Sequence, residues 1–111
     1  MPTQSSDKTY IVVLITASSM EEGHKIASEL LNQRKAACVN IVPGISSQYW
    51  WEGKLESAQE TLLLVKTKAS SLIEITVLVK KIHSYSVPEI IALPIVAGNQ
   101  DYLDWIEREV R

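Results

Sequence analysis

The stretch KAACVNIVPGISSQYWWEGK, residues 35–54, decides how the rest of this 111-residue chain is arranged. Its first part, residues 36–42, alternates so that Val39 and Ile41 fall on one face of a strand and Cys38 and Asn40 on the other. Pro43 and Gly44 interrupt that run and predict a bulge or bend before a second extended piece at residues 45–51. Glu52, Gly53 and Lys54 supply a turn. Pairing resumes at ETLLLVKTK, residues 60–68, where Leu63 and Val65 face opposite to Leu64 and Lys66. The two arms make a long hairpin.

On the N-terminal side, YIVVLITA at residues 10–17 is apolar on both alternating faces and reads as a central strand covered on both sides. A capping box, Ser19 with Glu22 or Ser18 with Glu21, opens a helix over residues 20–34, with Gly23, Ile26, Ala27, Leu30 and Leu31 on one stripe. His24 falls on the solvated side of that helix. On the C-terminal side, residues 70–83 carry both a strand-like alternation and helical spacing. A Ser71–Glu74 capping box and the Lys80-Lys81 pair near the far end decide for a helix. Pro88 restricts Val87 to extended geometry, and residues 89–97 then predict a strand with Pro94 at a bulge or an edge. Asn99 or Gln100 opens a closing helix with Tyr102, Leu103, Ile106 and Val110 on one stripe and Trp105 beside it.

The element order is therefore βαββαβ plus a terminal helix, an α+β, ferredoxin-like arrangement with a long hairpin between the second and third strands and both crossover helices on one sheet face. A central strand that is apolar on both faces does not leave the second face to water, so another copy of the chain is its expected cover. Residues 9–111 read as one domain behind a polar, flexible tail at residues 1–8. The formal net charge of −2 gives no general attraction to nucleic acid or to an anionic membrane surface. A single cysteine, Cys38, excludes an intrachain disulfide framework, and with no export signal or membrane span the cytoplasm is the expected compartment. There is no HExxH, CxxC, P-loop or GxSxG motif, and the chain reads as a non-enzyme.

The order YIVVLITA, helix, RKAACVNIVPGISSQYWWEGK, ETLLLVKT, HSYSVPEIIALPI and YLDWI resembles the CutA1 family of divalent-cation tolerance proteins from Tyr10 onward. The resemblance implies a ferredoxin-like subunit in a tight homotrimer, similar in build to PII signalling proteins, and a role in the response to divalent metal, copper in particular. It also shows departures. Relatives commonly read His-Pro-Tyr-Glu-x-Pro-Glu where this chain has His83, Ser84, Tyr85, Ser86, Val87, Pro88 and Glu89. A cysteine and a second histidine of some copper-binding relatives are replaced by Ile15 and Ile82.

Cys38 and His83 are the expected metal ligands, since thiolate and imidazole suit copper, zinc or another divalent cation, but two ligands do not close a site. Each has a plainer reading: Cys38 as a buried small hydrophobe, and His83 as a partner of helix-terminal carbonyls. No cofactor is required. Tyr49, Trp50 and Trp51 point alternately to opposite sides and read as interface anchors. Tyr49, Trp51, Glu60, Lys66, Tyr85 and Glu89 are expected around an intersubunit cleft that takes a small anion or metabolite, the alternative being a PII-like signalling or scaffolding trimer. An interface ion pair with a hydrogen-bonding tyrosine is the structural counterpart of that reading.

Overall fold

The computed structural model describes residues 9–111; the expected flexible tail at residues 1–8 lies outside them. The elements run β1 (Tyr10–Ala17), α1 (Met20–Asn32), β2 (Cys38–Trp51), β3 (Lys54–Lys68), α2 (Leu72–Ile82), β4 (Ile90–Pro94) and α3 (Gln100–Glu109). The four strands form one sheet in the order β2-β3-β1-β4, with every neighbouring pair antiparallel. This is the ferredoxin-like order, with β1 inside the sheet as its two apolar faces require.

Strand alternation sends Ile11, Val13, Ile15 and Ala17 to one side, where they join Leu63 and Val65 of β3, Ile26 and Leu30 of α1, and Ile75 and Val79 of α2 in the main core. Each fully buried Ile, Leu or Val there contributes about 1.5–3 kcal/mol of transfer free energy. Ser19 caps α1 by accepting from Glu22 N at 3.1 Å. Arg34, at φ 59, ends the helical path, so α1 stops at Asn32, short of the expected residue 34. The helix over α2 forms, but Ser71 makes no side-chain cap; a 3₁₀ turn at Ala69–Ser71 leads in. What selects the helix is its apolar stripe packed on the sheet, together with the lysines at its end. β4 is shorter than expected and lies at the sheet edge, with Pro94 as its last residue.

The opposite face carries Tyr10, Val12, Leu14 and Thr16 by the same alternation. One end of it is covered from within the chain. α3 packs Ile106 and Val110 on Tyr10, and Glu107 accepts from the Tyr10 hydroxyl and pairs with Lys68. The loop at residues 83–89 folds over the other end, and between them Ile91 and Leu93 of β4 are open.

The hairpin holds the feature that positions the candidate site. Val42 pairs with Leu62 and Ile45 with Glu60, so Pro43 and Gly44 together oppose Thr61 alone. Gly44, at φ 70, supplies the left-handed residue of this bulge. The extra residue reverses the phase of β2. Before it, odd-numbered Val39 and Ile41 pair with Val65 and Leu63 on the core side; after it, odd-numbered Ile45, Tyr49 and Trp51 pair with Glu60, Glu56 and Lys54 on the opposite side. The hairpin closes at Glu52 and Gly53, both with positive φ (50 and 82), as a two-residue turn of the type that follows strand twist.

Candidate functional site

The phase change brings Tyr49 and Trp51 to the sheet face that carries Glu60 and Thr16, and the loop at residues 83–89 forms the other wall. Together they enclose a cleft of about 590 Å³ lined by Thr16, Tyr49, Trp51, Glu60, Tyr85, Glu89 and the loop residues between the last two. That volume suits a small organic molecule. Its lining contains two carboxylates and no lysine or arginine.

Glu60 is only 8% exposed. Its Oε2 accepts from the Tyr85 hydroxyl at 2.7 Å, and no ion pair among the described residues reaches Glu60 or Glu89. Burial and the Glu60 charge push the Glu89 carboxyl above its ordinary range. Burial, followed by the bond to Glu60, also pushes the Tyr85 hydroxyl up, so Tyr85 is a neutral donor at physiological pH. A buried carboxylate with one neutral donor and a second carboxylate nearby is an uncompensated negative site.

The loop that builds this wall is tied down by His83 and Glu22. The His83 side chain is fully buried; its Nε2–H donates to the Thr16 carbonyl at 2.7 Å, and its Nδ1 accepts from Tyr85 N at 3.0 Å. Glu22 Oε1 accepts from Ser18 N and Oγ at 2.8 Å, and its Oε2 accepts from Ser84 N at 2.6 Å. Burial alone would raise the Glu22 carboxyl, but those hydrogen bonds outweigh it and bring it down to about 2. Glu22 thus serves α1 and the loop together.

A family comparison settles what kind of chain this is. The profile described as CutA1 divalent ion tolerance protein matches residues 11–109. The chain belongs to the CutA1 family. It is 53% identical over 95 residues to the divalent-cation tolerance protein CutA of Thermus thermophilus, covering 86% of this chain and 92% of that one. It is 47% identical over 111 residues to Protein CutA 1, chloroplastic, of Oryza sativa, and spans 63% of that protein's length. Against the Arabidopsis thaliana protein it spans 60%. Solved CutA1 structures superpose closely: the Oryza sativa one at TM-score 0.90 with 48% identity, covering 93% of this chain and 94% of that one, and the Thermus thermophilus one at 0.90 with 49%, covering 92% and 99%.

Within this CutA1 fold the residues expected at a site separate into three places. Tyr49, Trp51, Glu60, Tyr85 and Glu89 share the cleft. Lys66 does not reach it. Six residues along β3 from Glu60, roughly 20 Å away, it pairs across the ladder with Cys38 and donates to Asn40 Oδ1. Within one chain, therefore, Lys66 supplies no cation to the cleft.

Cys38 and His83 are not brought together within the chain. Cys38 sits opposite Lys66, which is opposite Val12, whereas His83 holds Thr16, four residues or about 13 Å further along β1. The Cys38 thiol contacts the Tyr102 hydroxyl, and burial followed by Cys38 pushes that hydroxyl up. Both His83 ring nitrogens are used, and the ring reaches a carbonyl of β1 rather than the end of α2. No group of three or more His, Cys, Asp or Glu side chains suited to a metal occurs among the described residues. The tie through Glu22 and Ser84 was hidden in the sequence, because Glu22 reads there only as a cap residue.

Proposed function

We propose that this chain acts in the response to divalent cations as a homotrimer that binds cations weakly in the Glu60–Glu89 cleft. The observation that carries this reading is Glu60 itself, nine-tenths buried and without a cationic partner among the described residues. A divalent ion between Glu60 and Glu89 would relieve their mutual repulsion and complete its shell with water or with donors of a neighbouring copy. Oxygen donors of this kind suit hard cations. Copper on Cys38 and His83 would need the two residues to come from different subunits and His83 to give up one of its hydrogen bonds.

The homotrimer is supported by what the sheet leaves uncovered. Ile91 and Leu93 on β4 and Trp51 at the hairpin tip are exposed on this face, each by about half. A neighbouring hairpin laid along this face would bury them. No described helix is long and apolar enough to cross a membrane. The rice and Arabidopsis relatives are named chloroplastic and the Archaeoglobus fulgidus structure is described as periplasmic; for this chain, whose one cysteine is free, we propose the cytoplasm.

The aromatic lining favours a second reading, a PII-like trimer whose cleft senses a small ligand. Titration calorimetry with Mg²⁺, Mn²⁺ and Cu²⁺ on wild type, Glu60→Gln/Glu89→Gln and Cys38→Ala/His83→Ala separates the readings. Loss of binding in the carboxylate variant supports the cleft. Loss only in the Cys38/His83 variant moves the ion there, and no metal heat with wild type leaves the ligand-sensing reading alone.

A further inference from the structure

Three aromatic side chains line the same cleft as the two carboxylates: Tyr49 and Trp51 from the bulged arm of β2, and Tyr85 from the facing loop. We propose that the cleft binds organic ammonium ions, the ring faces receiving the alkylated cation and Glu60 with Glu89 supplying the counter-charge. The inference rests on the reading of the cleft as a cation site and names a class of cation for it.

Three features select that class. An anion would meet two carboxylates and no basic side chain in the lining. A neutral ligand would leave the Glu60 charge buried and uncompensated. A bare metal ion occupies a small part of about 590 Å³ and makes no use of the ring faces, whereas a large, weakly hydrated cation is attracted by them. The hairpin bulge is the structural cause of the arrangement. Were Pro43 and Gly44 each to take a separate partner on β3, Gly44 would oppose Glu60 and Tyr49 would oppose Leu55, on the helix-covered side.

The Glu60 side chain is built to hold its charge in place. Its Oε2 is fixed by the Tyr85 hydroxyl, and Tyr85 is fixed in turn through its amide on His83. Oε1 has no hydrogen-bond partner among the described residues and is open to the cleft. Pre-organisation of this kind lets a weak cation–π contact act without a large ordering cost.

The test is an NMR titration of the full chain with tetramethylammonium chloride, using tert-butanol as the neutral molecule of similar shape and sodium chloride as the ionic-strength control. The expected result is saturable ring-proton shifts of Tyr49, Trp51 and Tyr85 with tetramethylammonium only, weakened about tenfold in Trp51→Leu and at least as much in Glu60→Gln. Tyr49→Leu serves as a second variant where Trp51→Leu alters assembly. Absence of shifts, equal shifts with tert-butanol, or undiminished binding in Glu60→Gln overturns the inference. Mn²⁺ separates the two claims: line broadening around Glu60 and Glu89 with no response to tetramethylammonium refutes the organic cation and keeps the cation site, and silence with both ligands refutes both.

Discussion

The Tyr85 hydroxyl donates to Glu60 Oε2 at 2.7 Å, and that bond joins the loop at residues 83–89 to β3 across the cleft. Tyr85→Phe removes the one hydrogen-bond donor to the buried Glu60 carboxylate among the described residues, at an expected cost of about 1–3 kcal/mol. Urea unfolding of Tyr85→Phe, Glu60→Gln and the double variant measures the coupling. Additive losses would mean the bond contributes nothing to the folded state.

A second expectation concerns acid. The Glu22 carboxyl is lowered from 4.5 in the unfolded chain to about 2 in the fold, so its contribution is present above pH 4.5 and is lost as pH falls toward 2. Allowing for solvent screening, the loss is about 1–2 kcal/mol. Stability measured against pH should flatten between pH 4.5 and 2 in Glu22→Gln relative to wild type. Parallel curves for the two proteins would show that the ties to Ser18 and Ser84 carry no such energy.

The bulge offers a direct test of how the cleft is made. Deletion of Gly44 leaves Pro43 alone opposite Thr61 and keeps Ile45 opposite Glu60, so Tyr49 and Trp51 stay on the cleft side while the bend at the bulge is lost. Backbone NOEs should keep the Ile45–Glu60 pair, and the β1–β3 ladder should keep its amide protection. A variant in which Ile45 no longer pairs with Glu60 would refute this account of the bulge.

Assembly is the fourth expectation. Trp51 is 45% exposed in the single chain, and at the hairpin tip it is placed to meet a neighbouring copy. Trp51→Ala should weaken the proposed homotrimer, by up to ~3–5 kcal/mol for a ring fully packed there. Sedimentation velocity at low concentration reads the result, and a trimer as tight as that of the wild type would contradict the assigned interface.

Much of the fold was legible because its signals are local. The two-sided apolar pattern of β1 placed it inside the sheet, and Pro43-Gly44 announced the bulge. The helix over residues 72–82 was legible for a partly mistaken reason, since Ser71 forms no cap and tertiary packing decides. Five of the six residues expected at an intersubunit cleft line one cleft within the chain, whereas the sixth, Lys66, lies too far along β3 to join them there. Alternation assigns a residue to a face but not to a position along it. The role of His83 was hidden for a different reason, because its partners Thr16 and Tyr85 come from β1 and the loop, and no spacing rule connects them.

The most direct test of the cation-binding cleft is calorimetric titration of divalent cation into the intact oligomer of wild type and of Glu60→Gln/Glu89→Gln, with assembly checked for both. The account predicts weak, saturable binding to wild type and its loss in the variant. Equal binding by both proteins would contradict it.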